Sequence, residues 1–362
     1  MIRVLHVVTY MGRGGLETMI MNYYRHMDRD KVQFDFLTHR DFRADYDDEI
    51  EALGGRIYRL PRLVPWSRNY RKALDSFFEE HTEYKIIHVH QDCLSSVILK
   101  AAKKHGVAVR IAHSHSSSQD KNLKYLIKLF YRRQIPENAT QLFACGKEAG
   151  DWMFCGAPYR IVNNAIDTKL YACNDDRRRQ MREVLNIPSD AFVVGHVGRF
   201  NPVKNHTFLL DVFAKIKEKR SNSVLLLVGD GDLRKDIEAK AITLGLSDSV
   251  VFTGMRSDVA DLMQAIDCFV FPSIYEGVPL TLIEAQASGM PSLVSTGVPA
   301  ECDKTGIVKR LSLQDSVETW AEQVLKFACI PRINTRAELV RSGYDIENSA
   351  EWLQQFYLSK AH

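Results

Sequence analysis

The chain has 362 residues, more than a single hydrophobic core usually serves, so two domains are expected. Its 45% hydrophobic and 26% charged residues are ordinary for a soluble globular protein, and a net charge of +3 is too small to indicate a nucleic-acid-binding protein. The charge is uneven. The first 165 residues carry +6 and the remainder −3, so the first part is the better candidate for binding an anionic surface or substrate.

The seven cysteines include no C-x-x-C pair, which favours a reduced cytoplasmic protein without a disulfide framework or a zinc site. The N-terminal residues MIRVLHVVTY have the pattern of a strand rather than of a signal peptide, because the apolar run is short and a glycine turn follows. No apolar run approaches the ~18 residues that a membrane-spanning helix needs. We therefore expect a protein that is soluble or peripheral to a membrane.

Short apolar segments alternate with amphipathic helical patterns along the chain, as where IRVLHVV precedes LETMIMNYYRHM. Strand followed by helix, repeated about ten times, predicts two doubly wound parallel sheets. The domain boundary is expected between Asn163 and Arg177, because a new helix and a new first strand follow. The predicted strands are residues 2–8, 34–38, 86–90, 109–114, 141–146, 160–166, 192–198, 224–229, 250–254, 268–272 and 291–295.

A glycine-rich turn, MGRGGLET, follows the first predicted strand and opens a helix. Gly14 and Gly15 would allow the backbone to approach a phosphate closely. The segment lacks the complete G-x-G-x-x-G fingerprint, and no acidic residue ends the next strand where a dinucleotide site needs one. An NAD-dependent oxidoreductase is therefore poorly supported, and a tight turn without a ligand is the simpler alternative.

Two histidines, His113 and His115, lie at the end of the predicted strand 109–114. Their spacing places both on one face, at the carboxyl end of a parallel strand, where open sheets bind ligands. No carboxylate or cysteine completes a metal-binding set, so we expect no metal site. For His113, packing in the core is the simpler interpretation.

Residues 121–133 have the pattern of a basic amphipathic helix. Lys121, Lys124, Lys128 and Arg132 follow one side at helical spacing, and large apolar residues follow another. Such a helix can rest on anionic lipid, or it can be a surface helix with a solvated basic face. The pattern leaves both interpretations open.

Arg199 and Lys204 lie five residues apart in the loop after the strand 192–198. Both can converge on one anion, because arginine offers a planar fork of donors and lysine a compact charge. A leaving diphosphate needs such neutralisation, since its charge grows in the transition state. The alternative is a pair of solvated loop cations.

The most informative segment is residues 271–289, FPSIYEGVPLTLIEAQASG. A predicted strand ends there, a short loop carries Glu276, and a helix with Glu284 in its second turn begins near Pro279. The free N–H groups of the helix N-terminus therefore lie between two carboxylates. Carboxylates on both sides of an anion site suit a diphosphate flanked by hydroxyl-bearing groups, as in a nucleotide-sugar. The alternative is two solvated glutamates.

This segment resembles the E-x7-E signature of the family 4 retaining glycosyltransferases, within the more specific F-P-S-x-x-E-G-x-P-L-x-x-x-E-A-x-A-x-G-x-P. The resemblance covers essentially the whole chain and is more specific in its second half. It implies the α/β GT-B fold, with two Rossmann-like doubly wound parallel-sheet domains facing across a cleft. Residues 1–165 would bind the acceptor and residues 166–345 the nucleotide-sugar donor, with a last helix at about 346–362 packing back on the first domain.

The resemblance also implies a role for each candidate residue. Glu276 would hold the donor hexose and Glu284 the ribose, while Arg199 and Lys204 would bind the diphosphate. His115, rather than His113, would contact the donor sugar or phosphate. The complete set expected to contact the donor also includes Gly14, Gly15, Gly198, Met255, Arg256, Gly277, Leu280 and Thr281.

The implied activity is transfer of a hexose to a hydroxyl with retention of configuration, the leaving phosphate oxygen taking the acceptor proton. No cofactor or metal ion is expected. Asp230 and Asp232 form a D-x-D, the metal motif of the other large glycosyltransferase fold, as do Asp28 and Asp30. Neither pair lies in the setting that fold requires, so we interpret all four as turn residues.

Within the family, AHSHSSS and GVPAECDKTGIVKRLSL look most like bacterial exopolysaccharide, capsule and O-antigen enzymes. By that analogy the donor is a UDP-hexose or UDP-N-acetylhexosamine, and the acceptor is a saccharide on undecaprenyl diphosphate at the inner face of the cell membrane. Two alternatives remain open. One is a nucleotide-sugar 2-epimerase of the same fold, and the other is a non-catalytic subunit with a relic site, against which the presence of all four charged donor residues argues.

Overall fold

The computed structural model describes residues 1–115 and 125–361, and it divides the chain into two compact units. The first unit is Met1–Ala165 together with the chain from Ile346 onward, and the second is Ile166–Asp345. In each unit the apolar residues form two clusters, and neighbouring strand residues such as Val4 and Leu5 belong to different clusters. Each sheet is therefore packed on both faces, as expected of parallel sheets.

The described part of the first unit contains a seven-stranded parallel sheet in the order β3-β2-β1-β4-β5-β6-β7. Its strands are β1 Ile2–Val7, β2 Val32–Thr38, β3 Ile57–Arg59, β4 Ile86–Val89, β5 Val109–Ser114, β6 Gln141–Ala144 and β7 Arg160–Ile161. Its helices are α1 Gly15–His26, α2 Asp47–Ala52, α3 Arg68–Glu80, α4 Ser95–Lys104, α5 Tyr125–Arg132, α6 Ile135–Asn138 and α7 Lys147–Phe154.

The described residues of the second unit form a six-stranded parallel sheet in the order β10-β9-β8-β11-β12-β13. Its strands are β8 Phe192–Val197, β9 Ser223–Val228, β10 Val250–Gly254, β11 Cys268–Phe271, β12 Ser292–Ser295 and β13 Val308–Leu311. Its helices are α8 Thr168–Tyr171, α9 Asp175–Val184, α10 His206–Lys219, α11 Arg234–Thr243, α12 Val259–Ala265, α13 Leu280–Ala287, α14 Val317–Phe327 and α15 Arg336–Arg341.

The last helix, α16 Ile346–Ser359, belongs to the first unit. Ile346, Ala350, Leu353 and Tyr357 recur at helical spacing and are buried among the residues of β1, β2 and α1. The hydroxyl of Tyr357 also hydrogen-bonds to Nδ1 of a strand histidine, His88, at 2.7 Å. The chain thus closes on the sheet with which it began.

The α/β prediction of two doubly wound parallel sheets is confirmed, and the sequence prediction was wrong in three details of the sheets. It missed β3 and β13, which are edge strands of three and four residues with few buried side chains and therefore give no clear apolar run. It also made β7 too long, since 160–166 was predicted and the strand ends at Ile161. The N–H of Ile166 instead donates to Tyr344 O at 2.9 Å.

Both sheets reverse their strand order once, between β1 and β4 in the first unit and between β8 and β11 in the second. Loops that leave such a pair of strands at their carboxyl ends diverge to opposite faces and leave a crevice, the usual ligand site of open α/β sheets. Among the described helices none is both long and apolar enough to cross a membrane.

Candidate functional site

Two residues that are expected to contact the donor, a lysine and a glutamate, are in direct contact with each other. Lys204 follows β8 and Glu276 follows β11, and Nζ of the lysine lies 2.6 Å from Oε1 of the glutamate. Their side chains are only 17% and 13% exposed, and Nζ also lies 4.4 Å from the centroid of the Phe271 ring. Solvent therefore screens the attraction within this pair less than it screens a pair on the surface.

Local hydrogen bonds hold the two loops in place. The side chain of Asn201 accepts from the Lys204 N–H at 3.1 Å and caps the short turn that carries the lysine. The N–H of Ile274 donates to Val203 O at 2.8 Å, which ties the loop after β11 to the loop after β8. The N–H of Glu276 donates to the carbonyl oxygen of Gly297, in the loop after β12, at 3.0 Å.

Arg199, at the start of the same loop, is exposed, and within the described part of the chain its guanidinium has no hydrogen-bond or ion-pair partner. It differs in this from Lys204, whose charge is already paired with Glu276. An unpaired guanidinium next to a half-buried ion pair is available for an anionic ligand without breaking an existing contact.

Backbone groups also meet at this edge of the sheet. Gly229, after β9, has a φ of +133°, and a Cβ there would lie 2.2 Å from the carbonyl oxygen of Gly198, which follows β8. The Gly229 N–H donates to Gly254 O, at the end of β10, at 3.0 Å. Only glycine fits the close approach at Gly229. Gly198 was among the predicted donor contacts, whereas Gly229 and Gly254 were not, although each of them ends a predicted strand.

The helix N-terminus forms as predicted. Pro279 is the cap residue and α13 begins at Leu280. The amide N–H groups of Gly277, Leu280 and Thr281 have no acceptor among the residues that the structure describes. Together with the helix dipole they provide donors and positive potential immediately after Glu276.

Glu284, in the second turn of α13, is 4% exposed. Burial raises the pKa of its carboxyl to about 7, although a hydrogen bond from the Tyr171 hydroxyl to Oε1 at 2.7 Å acts in the opposite direction. The carboxyl therefore changes charge near neutral pH and is held in one orientation. Tyr171 was not predicted as a site residue, because nothing in the sequence around it relates it to a helix residue 113 positions later.

In the loop after β10, main-chain groups are available to a ligand, whereas the charge of Arg256 is already paired within the chain. Met255 is 54% exposed, and Arg256 forms a double hydrogen bond with Asp258, at 2.8 and 2.5 Å. This contact raises the pKa of the Arg256 guanidinium and lowers the pKa of the Asp258 carboxyl. Of the D-x-D after β9, Asp230 accepts from the N–H of the following glycine at 2.7 Å, as in a turn.

In the first unit, Gly14 is the N-cap of α1 and Gly15 its first residue. A Cβ at Gly14 would lie 2.3 Å from the carboxylate of Glu17, so an acid of the chain itself already lies over this helix end. A Cβ at Gly15 would meet nothing within 4 Å, which leaves open space beside the turn. Neither glycine has a positive φ, so neither is required by its backbone conformation.

His115, the histidine predicted to contact the donor, belongs to a larger cluster of histidines in the first unit. Five imidazoles lie on one face of the first sheet. His6, His88 and His113 belong to β1, β4 and β5, and His90 and His115 directly follow β4 and β5. His90 joins His6 at 3.1 Å and His115 at 2.9 Å, while His88 joins His113 at 3.1 Å. The interpretation of His113 as a core residue is consistent with its 3% exposure.

Three of these five histidines, His6, His88 and His90, were not predicted from the sequence. The signal was present in IIHVH, whose alternating histidines mirror the H-x-H of the next strand, but only the strand order shows that they are neighbours. Burial lowers the pKa of all five, to about 3 for His6 and His115, so the rings are neutral at physiological pH.

The basic helix predicted over residues 121–133 is described only as α5, and the positions of Lys121 and Lys124 lie outside the described residues. On α5, Leu126 is 75% exposed and Phe130 63% exposed. Large apolar side chains on a surface helix of this kind mark an interaction surface more often than scattered single ones do.

Comparison with known proteins assigns both halves of the chain. Residues 13–170 match the family model described as Glycosyltransferase Family 4, and residues 177–345 match the model described as Glycosyl transferases group 1. The protein EpsF of Bacillus subtilis (strain 168), named as a glycosyltransferase, is 39% identical over 98% of this chain and 96% of its own length.

The chain is also similar to a relative whose name states a specific activity and to a solved structure. The Escherichia coli UDP-Gal:alpha-D-GlcNAc-diphosphoundecaprenol alpha-1,3-galactosyltransferase is 27% identical over 70% of this chain and 68% of its own. The crystal structure of Anabaena Alr3699/HepE in complex with UDP and glucose superposes with a TM-score of 0.80 and 17% identity, covering 99% of this chain and 100% of that one. The two sheets and these matches show that the chain is a member of glycosyltransferase family 4 with the two Rossmann-like domains of the GT-B fold.

Proposed function

We propose that this protein transfers a hexose from a UDP-sugar, a UDP-hexose or UDP-N-acetylhexosamine, to a hydroxyl of a saccharide in bacterial surface polysaccharide biosynthesis. The observation that carries the proposal is the contact of Lys204 with Glu276 beside free main-chain N–H groups. A cation and N–H donors suit a diphosphate, and a carboxylate suits sugar hydroxyls. The UDP-Gal donor named for the Escherichia coli relative and the UDP in the Anabaena structure support this choice of donor.

In the proposed reaction the bond from the anomeric carbon to the β-phosphate oxygen breaks and the acceptor oxygen attaches on the same face. The phosphate oxygen that leaves takes the acceptor proton. Its growing charge would be met by Arg199, Lys204 and the first amides of α13, none of which needs a metal ion. Glu276 would hold the hexose and Glu284 the ribose, with His115, Gly14 and Gly15 of the first domain contributing to donor contact.

The acceptor in this proposal is a saccharide linked to undecaprenyl diphosphate and bound by the first domain. The name of the Escherichia coli relative, whose acceptor carries diphosphoundecaprenol, supports it, and so does the capsular polysaccharide role in the name of CapH of Staphylococcus aureus, 25% identical over 99% of this chain. A lipid-linked acceptor requires the protein to work at the cytoplasmic face of the membrane.

The nucleotide is tested by thermal unfolding of the wild type with UDP, GDP, ADP and NAD in metal-free buffer. A ligand at a hundredfold excess over its Kd stabilises the folded state by about 2.7 kcal/mol, so we expect UDP alone to raise the unfolding midpoint. UDP-sugars are then incubated with and without a lipid-diphosphate saccharide. Product of unchanged anomeric configuration, formed only with acceptor, supports the proposal. Donor conversion without acceptor would indicate an epimerase, and stabilisation by NAD alone an oxidoreductase.

The membrane part of the proposal rests on α5. Moving Leu126 or Phe130 fully out of water contributes about 1.5–3 kcal/mol each, so Leu126→Glu and Phe130→Glu should each weaken binding to phosphatidylglycerol-containing vesicles by tenfold or more. Co-sedimentation measures the effect, with Ile242→Glu on α11, where the side chain is 68% exposed in the other unit, as the matched control. Equal sedimentation of all four proteins would contradict a membrane role for α5.

A further inference from the structure

Three imidazoles of the first unit converge at the carboxyl ends of β4 and β5. His90, His113 and His115 each offer one ring nitrogen, and these three atoms all lie within 4.8 Å of one another. Nδ1 of His90 is 2.9 Å from Nε2 of His115, and the ring centroids of His113 and His115 are 4.1 Å apart. Zinc–nitrogen bonds of 2.0–2.1 Å place tetrahedral ligands about 3.3 Å apart, so small ring movements bring the three nitrogens onto one ion.

The hydrogen bonds of the rings leave one nitrogen of each histidine for an ion. These are Nδ1 of His90, Nε2 of His113 and Nε2 of His115, and Nε2 of His113 is buried without a hydrogen-bond partner in the described part of the chain. Buried polar atoms are nearly always paired, and an ion is one of the few groups that would explain the unpaired Nε2 of His113.

The surroundings also fit a ligand set. Nδ1 of His113 is bonded to His88 at 3.1 Å, whose other nitrogen meets the Tyr357 hydroxyl at 2.7 Å. Nε2 of His90 is bonded to His6 at 3.1 Å. Metal-binding histidines characteristically use their second nitrogen in this way, which fixes the tautomer and the ring orientation.

A second combination, His6 with His88 and His90, also has three nitrogens within the same span. All three of these residues are buried, and both nitrogens of His88 are already used by His113 and Tyr357. His115, in contrast, is only half-buried and lies just beyond the end of β5. The first combination is therefore the better candidate, because His88 of the second has no nitrogen left for an ion.

We propose that His90, His113 and His115 bind a divalent transition-metal ion of the zinc type and leave one coordination position open. A neutral set of three nitrogens suits Zn²⁺, Co²⁺, Ni²⁺ or Cu²⁺ and is unsuited to Mg²⁺ and Ca²⁺, which prefer oxygen. Three histidines with an open position are typical of catalytic rather than structural zinc sites. The proposed metal site shares His115 with the proposed donor contacts, and hexose transfer itself needs no metal ion in the proposed reaction.

The test is metal binding by the untagged full chain after treatment with a chelator. Isothermal titration with Zn²⁺ and the visible absorption of bound Co²⁺ measure affinity and geometry in the same protein. We expect one ion per chain, Co²⁺ bands of tetrahedral intensity and no binding of Mg²⁺. His113→Ala and His115→Ala should each lower the affinity for Zn²⁺ by at least tenfold, whereas His26→Ala, an exposed histidine on α1, should leave it unchanged.

His88→Asn removes an outer partner without removing a ligand, and should weaken binding about 10–100-fold. Circular dichroism shows whether each variant is folded, and the Co²⁺ spectrum of the wild type does not depend on any variant. Absence of stoichiometric binding by the wild type, or equal affinity in wild type and His115→Ala, would overturn the proposal. Either result is independent of the nucleotide-binding test, so the proposed function could stand while this site fails, and the reverse.

Discussion

Lys204→Ala is expected to lower kcat for sugar transfer by about 10²–10³-fold, the loss typical of removing one group that stabilises charge in a transition state. The ammonium of Lys204 lies 2.6 Å from Glu276 at the carboxyl ends of β8 and β11, where the proposed diphosphate departs. The charge on the leaving group grows as the bond breaks, so the loss should appear mainly in kcat and less in KM. Steady-state release of UDP from the donor measures both.

Lys240→Ala is the matched control for this experiment. Lys240 forms an ion pair of 2.7 Å with Asp211 in the same unit, with 27% of its side chain exposed against 17% for Lys204. It follows no strand of the crevice, so its removal should change kcat by less than threefold. If the two variants behave alike, or if Lys204→Ala changes only KM, the assignment of Lys204 to the leaving group is wrong.

Glu284→Gln is expected to make the protein more stable at pH 8 and at the same time to weaken UDP binding. Burial raises the pKa of Glu284 from 4.5 to about 7, so the folded state holds the proton more tightly than the unfolded chain does. Ionisation therefore destabilises the fold. The penalty is absent below pH 4.5, grows between pH 4.5 and 7, and reaches roughly 3 kcal/mol above pH 7. Glutamine carries no such penalty and can still accept from Tyr171.

Unfolding midpoints of the wild type and Glu284→Gln at pH 5 and pH 8 measure this effect. The advantage of the variant should be clear at pH 8 and much smaller at pH 5. The affinity for UDP should fall in the variant, because the ribose loses a hydrogen bond to a charged carboxylate. Such a bond contributes about 1.5–3 kcal/mol, or roughly 10–150-fold in Kd. The affinity of the wild type should also fall as the pH drops below 7, and that of the variant should not.

Tyr171→Phe separates the two contributions, since it keeps the carboxylate but removes the hydrogen bond at 2.7 Å. It should raise the pKa of Glu284 further and shift the fall in UDP affinity to higher pH. A variant Glu284→Gln that binds UDP as well as the wild type at pH 8 would show that this carboxylate is not the ribose contact. Residues that destabilise the folded state but are needed for binding are common at functional sites.

The sequence by itself determined the features that depend on short stretches of chain. The alternation of strand and helix predicted both sheets, because a segment buried on both faces is apolar throughout whatever its neighbours are. The same is true of residues 271–289, where strand, loop and helix start are consecutive, so the position of Glu276 before α13 and of Glu284 upon it follows from local geometry. The alternation of basic and apolar residues over 121–133 is likewise a local property of the sequence.

The tertiary structure alone decided which of these pieces meet. Lys204 and Glu276 are 72 residues apart, Tyr171 and Glu284 are 113 apart, and His6 and His90 are 84 apart. Each of these contacts depends on the order and register of parallel strands, which crossover helices connect but do not specify in any one segment. The edge strands β3 and β13 were not predicted for a related reason. Each forms because it pairs with one neighbouring strand, and neither has an apolar run that would mark it in the sequence.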